Sequence, residues 1–331
     1  MSPKLISNIG YIGIALQAAK GTKAVSSDYF IKYNDEGFTP EFDTEPLREG
    51  GDDELIGEVV KNQHREKFTL TARARPELVA YAYAWLLGND TKTGSVDPFT
   101  HIITRGTERG WLTIRRKIDT DVIQVLIDAK IEKLTIEAEA GKPVMVTFEG
   151  NALTADEETV EEVPVYEDCI PFMFYHGKDN YKINSVVTNN IKKFTISYTV
   201  ASQEGLQTDD ILLEDLPDIK VDVDCSFELY AENTVDFWKK VNYNNEDTPQ
   251  EGLFSFAYEQ DLVFTENVAN DRQFKINIGK VVAEVVPGIN LKGDPEAEVQ
   301  TLAGIAIKPA AGELFTVTVK NDISTDIISN S

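Results

Sequence analysis

The sequence predicts a mainly β chain built of two like units in tandem, each a mostly antiparallel sheet system with one helix. Three observations carry that reading: strands alternating apolar with polar residues, one helical stripe per unit, and landmarks recurring at a nearly constant spacing. Lys67, followed by Phe68, Leu70, Ala72, Ala74 and a helix carrying Trp85, recurs as Lys220 at an offset of 153. Val221, Val223, Cys225, Phe227 and a helix carrying Trp238 follow it there. The turn Gly141, Lys142, Pro143 recurs as Gly293, Asp294, Pro295 at an offset of 152, and Asp52, Asp53 as Asp209, Asp210 at 157. The units are residues 1–158 and 159–331, each large enough to bury its own core.

The first unit opens with Gly10 to Ala15, strands follow near Tyr29 to Tyr33 and Phe38 to Phe42, and the polar stretch 44–66 reads as an extended, exposed loop. Lys67 to Arg75 alternates as a half-buried strand does. Pro76 suits a first helical turn, Leu78, Tyr81, Ala82, Trp85 and Leu86 share one face, and Gly88 stops a helix over 76–88. After turn-rich Asn89 to Asp97 come strands at Gly110 to Lys117, Ile131 to Ala140 and Val144 to Gly150. The acidic run Asp156 to Asp168 breaks the periodicity and reads as the linker.

The second unit repeats the plan: a strand at Ile191 to Val200, a polar loop over 202–218, a strand at Lys220 to Leu229, and a helix over 234–243 capped by Thr234. Strands follow at Phe254 to Phe264, Gln273 to Val286, Glu296 to Ile307 and Leu314 to Val319, with a bulge or bend expected after Gly293.

A net charge of -24 over 331 residues argues against wrapping nucleic acid, which needs cations to displace counterions from phosphate. Cys169 and Cys225 are too few for a disulfide framework, which points to synthesis in a reducing cytoplasm. Neither a signal peptide nor a membrane-spanning apolar run is readable.

The chemistry of a catalyst is hard to find. His64, His101 and His176 lack a second ligand at metal-binding spacing, Cys225 lies on an apolar strand face, and no phosphate loop or nucleophile elbow is present. Carboxylate pairs such as Asp52 with Asp53 are unavoidable among 56 Asp and Glu residues and lie in polar loops. Arg73, Arg75, Arg105, Arg109, Arg115 and Arg116 make one region basic, and pairing with carboxylates of another subunit is the expected use. The expectation is a non-enzyme without cofactor or metal.

Gly10, Tyr11, Ile12, Gly13, Ile14, Ala15 with Gly21, Thr22, Ala24, Val25, then Lys67 to Gly88, Thr100 to Thr104, and a closing strand with Thr316, Thr318 and Asn321 together resemble a known family. It is the tail tube (major tail) proteins of long-tailed bacteriophages, of the kind with two tandem tube domains in one chain. Where Lys20 stands, an aromatic is usual. The resemblance implies two packed antiparallel sheets, as a sandwich or partial barrel, with one flanking α-helix per domain. It also implies a virion protein, made in the host cytoplasm, whose stacked rings form a hollow tube conducting viral DNA. Six copies of the fold, hence three chains, would close a ring. Its partners would be itself, a tape-measure protein, and the tail terminator and tail-tip proteins, with double-stranded DNA passing through without specific binding.

Polar strand positions opposite apolar ones are the candidate channel lining: Thr69, Thr71, Glu137, Glu139, Thr147, Glu149, Asp222, Asp224, Glu296 and Glu298; alternation alone leaves open whether that face meets the bore or bulk solvent. An acidic wall repels DNA rather than binding it, within a screening length of roughly 8 Å. Arg48, Asp52, Asp53 and Glu54, with Glu204, Asp209 and Asp210, are the expected inter-subunit or inter-ring loop residues. The rival reading is a monomeric two-domain β-sandwich binding module, an adhesin or carbohydrate-binding protein, using surface aromatics such as Tyr175, Tyr243 or Tyr258. An acidic hydrolase is a weaker rival.

Overall fold

The computed structural model describes residues 10–47, 58–119, 122–202, 215–230, 253–267, 270–285 and 299–328. The chain is mainly β, as the alternation predicts. Its first half forms β1 (Ile12–Leu16), β2 (Tyr29–Phe30), β3 (Tyr33–Leu47), β4 (Glu58–Arg73), α1 (Pro76–Leu87), β5 (Gly88–Thr93), β6 (Phe99–Arg105), β7 (Leu112–Asp119), β8 (Val122–Glu139) and β9 (Met145–Glu158). The second half forms β10 (Lys182–Ile183), β11 (Val186–Val187), β12 (Ile191–Ser202), β13 (Asp218–Tyr230), β14 (Ser255–Asn267), β15 (Asn270–Val285), β16 (Val299–Ala306) and β17 (Phe315–Asn321).

Strand pairing displays the duplication directly. The first half pairs in the order β2-β1-β7-β8-β9-β4-β3. The second half pairs as β11-β10-β14-β15-β16-β13-β12, the same seven strands in the same order along the chain.

Irregularities recur at matching places, which fixes the equivalence residue by residue. The ladder slips beside Asn34 in the first hairpin and beside Lys192 in the second, then again beside Asn62 and Ile219. Long strand β8 slips against β7 at Ile127 and Asp128 and against β9 at Glu132; β15 slips against β14 at Gly279 and Lys280 and against β16 at Glu284. Phe68 therefore corresponds to Cys225, an offset of 157. The match of Lys67 with Lys220 is corrected: Lys67 corresponds to Asp224. A period-two pattern fits itself at any even shift, and the four-residue error preserves every inward and outward assignment.

The halves are joined edge to edge where β8 pairs β12, from Lys133↔Thr199 to Glu139↔Lys193. The result is one continuous sheet of eight strands, β3-β4-β9-β8-β12-β13-β16-β15. The N-terminal parts of β8 and β15 continue into the smaller flanking strands, and β17 bridges β15 to β6.

Helix α1 fills the space behind the sheet, touching β8, β6 and β5 of the first half and β15 and β17 of the second. Its start follows from Pro76 at the first turn, and its end from Gly88, whose φ of 83° closes a left-handed cap. A single apolar face is too modest an expectation here. Pro76, Leu78, Val79, Ala80, Ala82, Tyr83, Ala84, Trp85, Leu86 and Leu87 are all buried, because small alanines let strands approach the remaining sides. Tyr83 packs on Phe274 and Phe315, so this helix completes the core of both halves.

Two further expectations change. Within the stretch 44–66, residues 44–47 and 58–66 are not loop but extend β3 and β4 as paired strands, and 48–57 lie outside the described residues. Turn-rich Asn89 to Asp97 contains β5, which pairs β6. The expected helix over 234–243, most of loop 202–218 and residues 286–298, where the bulge or bend was expected, lie outside the described residues.

Candidate functional site

The front of the eight-strand sheet is a polar surface shared by both halves. It follows from alternation: Phe68, Leu70, Val146, Phe148, Leu134, Ile136, Phe194, Ile196, Val223 and Cys225 point into the core, so their neighbours point out. One row across the strands reads Asp35, Thr71, Thr147, Thr135, Ser197, Asp224. Hydroxyls pair along it, Thr71 with Thr147 at 3.0 Å and Thr135 with Ser197 at 3.0 Å. The next row reads Thr69, Glu149, Lys133, Thr199, Asp222. Beyond the hydroxyl row, Glu137 lies opposite Thr195, and Glu139 opposite Lys193.

Eight of the ten residues expected to line a channel thus share one surface: Thr69, Thr71, Glu137, Glu139, Thr147, Glu149, Asp222 and Asp224. Glu296 and Glu298 lie outside the described residues, as do Arg48, Asp52, Asp53, Glu54, Glu204, Asp209 and Asp210.

The surface is less acidic than the composition suggests, because lysines of the same face meet its carboxylates. Lys193 reaches Glu137 at 2.6 Å, Lys142 reaches Glu139 at 2.6 Å, Lys220 reaches Asp222 at 2.7 Å and Lys133 reaches Glu149 at 3.3 Å. The hydrogen bond and charge of Lys142 hold Glu139 below the usual carboxylate range. These pairs are exposed enough that each adds little to stability. Their effect is to present hydroxyls and locally balanced charge.

Behind the surface, the joint between the halves is clamped by charge. Arg109, whose side chain is wholly buried, donates from Nε to Asp218 Oδ2 at 2.9 Å, and Arg105 reaches the same carboxylate at 2.5 Å. Lys130 donates to the Leu216 carbonyl at 2.8 Å and lies 4.1 Å from the Trp111 ring centre. Leu216 and Leu153 are buried together against Trp111. Sequence reasoning missed this clamp, although the crowding of arginines at 105–116 was its trace.

Five of the six arginines expected to seek another subunit find partners within the chain. Arg105 and Arg109 hold Asp218, Arg115 pairs Glu158 at 2.9 Å, Arg116 pairs Glu36 at 2.5 Å, and Arg75 donates to the Cys169 carbonyl. The acidic run Asp156 to Asp168 is consequently no free linker, and its first three residues belong to β9. Glu158 and Glu161 pair back onto Arg115 and Lys117, and Glu167 caps α1.

The histidines are likewise occupied by structure. His64 meets Glu66 at 3.0 Å, His101 meets Asp90 at 2.9 Å, and His176 Nδ1 accepts the Met173 N–H. Among the described residues no group of His, Cys, Asp or Glu is arranged to hold a metal. Both cysteines are free and buried, and burial pushes each thiol up to about 12. Of the aromatics proposed for a ligand surface, Tyr175 is exposed, Tyr258 is fully buried and Tyr243 lies outside the described residues. No helix is long and apolar enough to cross a membrane among the described residues.

No family model and no curated protein matches the sequence. Among solved structures, a chain of the anti-feeding prophage baseplate, from a 6-fold symmetrised cryo-EM structure, is similar over 49% of this chain and 100% of its own length. The identity is 12% and the TM-score 0.33.

Proposed function

We propose that this chain is a structural subunit of a phage tail tube, assembling as rings of three chains that stack around a bore lined by the polar face. The observation that supports the reading is the β8·β12 joint, where two like units are fused edge to edge in one sheet. Strand β12 is the counterpart of β3, and β8 is the counterpart of β15. Within the chain β12 has its β8, whereas β3 pairs only β4 among the described residues. The outer edge of β3 is an open template that a second copy would close, and repeating the operation removes every such edge.

Three chains would supply 24 strands, eight from each. At a strand spacing of about 4.8 Å this gives a backbone circumference of about 115 Å and a radius of about 18 Å before strand tilt widens it. Such a bore admits a double helix. Its wall would offer hydroxyls and carboxylates already met by lysines, so no array of free cations would bind phosphate at each ring.

The monomeric binding module is the less favoured reading, since burial of Tyr258 leaves no shared aromatic platform with Tyr175. Electron microscopy of the purified protein across concentration, with mass in solution, tests the choice. Threefold rings with six similar lobes, or hollow tubes, are expected; a monomer at every concentration would overturn the proposal.

A further inference from the structure

The duplication leaves two apolar side chains exposed where the intrachain joint has a buried contact. In that joint Leu216 and Leu153 are 1% and 3% exposed. Val59 corresponds to Leu216 by the same offset of 157 that relates Phe68 to Cys225, and the slips beside Asn62 and Ile219 confirm it close by. Ile307 corresponds to Leu153 by the offset that relates Gly150 to Gly304. Leu153 lies opposite the slip at Asp128, and the Ile307 N–H donates to Lys280, at the matching slip. Yet Val59 is 58% exposed and Ile307 39%.

A third position agrees. Leu253 corresponds to Arg109 by the offset relating Ile114 to Tyr258, and it is 72% exposed. Lys61 stands in the sequence at the counterpart of Asp218. The sequence thus places leucine and lysine at the counterparts of Arg109 and Asp218, so that pair is not repeated there, and the exposed side chains are leucine, isoleucine and valine. This surface continues an interface already present, since β3 and β15 are the two ends of the sheet whose centre is the β8·β12 joint.

We infer that Val59 of one chain packs against Ile307 and Leu253 of the next copy of this chain, repeating across the interchain joint the contact that Leu216 makes with Leu153. The inference rests on the ring reading and adds which side chains meet. Exposed aliphatics at a designated joint are an association surface rather than scattered surface residues.

The test is a cysteine pair, Val59→Cys with Ile307→Cys, in the full chain under mild oxidation, read on a non-reducing gel. Bonding between chains, in a ladder ending at three, is expected, whereas Leu153→Cys with Leu216→Cys should bond within one chain. Separately, Val59→Asp and Ile307→Asp should each raise the concentration needed for assembly at least tenfold, with unchanged melting curves showing that the chain still folds. Wild-type rings combined with an unbonded cysteine pair and normal assembly of both Asp variants would overturn this contact and leave the ring reading standing. A wild-type chain that never associates would overturn the ring reading and this contact with it.

Discussion

His101 Nδ1 lies 2.9 Å from Asp90 Oδ2 with both side chains sealed from solvent, and His101 Nε2 lies 3.0 Å from the Ile323 carbonyl. Both ring nitrogens face acceptors, so the imidazolium, donating twice, satisfies every atom. Asp90 also accepts the Ile327 N–H, and Lys92 donates to Asp326 and Ser324. This cluster ties the segment after β17 onto the β5–β6 hairpin.

A pH dependence follows. Burial works against the charge, but the hydrogen bond and charge of Asp90 outweigh it and hold His101 above its ordinary value of 6.5. A raised folded value means the stabilisation is full below about pH 6.5 and is lost as pH rises through the folded value. Melting curves across pH 6 to 9 should show this loss, and His101→Gln should abolish it, lowering stability by about 3 kcal/mol at the acid end and by less as pH rises. Hydrogen exchange should rise first at 322–328; an unchanged alkaline slope in the variant would remove His101 from the account.

A second titration points the same way by different chemistry. Glu167 accepts the Glu77 N–H at 3.0 Å and the Tyr29 hydroxyl at 2.8 Å, joining the segment after β9 to the start of α1. Burial raises Glu167 to about 7 and, helped by the charges of Glu167 and Asp322, raises Glu77 to about 8. Folded carboxyls with raised values bind protons that the unfolded chain has released, so stability falls as pH climbs from about 4.5 towards 8. Glu77→Gln should flatten that slope by about 1–2 kcal/mol after allowance for solvent screening. A slope identical to the wild type would show that Glu77 is ionised throughout.

Matching glycines offer a test of the duplication itself. A Cβ on Gly150 would lie 2.1 Å from the Lys130 carbonyl oxygen, and one on Gly304 would lie 2.2 Å from that of Val282. These oxygens belong to backbone in β8 and β15 and cannot swing aside. Gly150→Ala and Gly304→Ala should each destabilise by about 2–3 kcal/mol. Chemical denaturation measures both; a tolerant site at one position only would break the equivalence there.

How far the sequence foretold this molecule depends on what kind of pattern each feature has. Inward and outward positions of Thr69, Glu137 or Asp224 were legible because side chains alternate whatever the partner strand. The offsets 157 and 152, read from Asp52 and Gly141, agree with those the slips fix for β13 and β15. Lys67 was misplaced because alternation carries no register, and the slips that do carry it have no residue signature. The joint of β8 with β12 was invisible for a related reason: it depends on two edges distant in sequence. Alanines at 80, 82 and 84 hid the full burial of α1, since small residues mark close approach without enlarging an apolar stripe.

The joint between halves and the proposed joint between chains should respond differently to ions. Arg109 is wholly buried against Asp218; burial opposes the carboxylate, but the hydrogen bond and charge of Arg109 hold Asp218 below its ordinary value of 3.8. A depressed folded value means this stabilisation is present above about pH 3.8 and is lost as pH falls through the folded value. Arg109→Ala should cost about 3 kcal/mol, since Arg105 alone remains with the carboxylate. Salt screens so buried a pair weakly, whereas the Val59, Ile307 and Leu253 surface is apolar and strengthens with excluded salts. Ammonium sulfate should therefore promote ring assembly of the wild type while leaving its halves joined. Mass in solution against sulfate concentration measures the first, and hydrogen exchange along β8 and β12 measures the second. Assembly that weakens with sulfate would show that the chains are held together by charge instead.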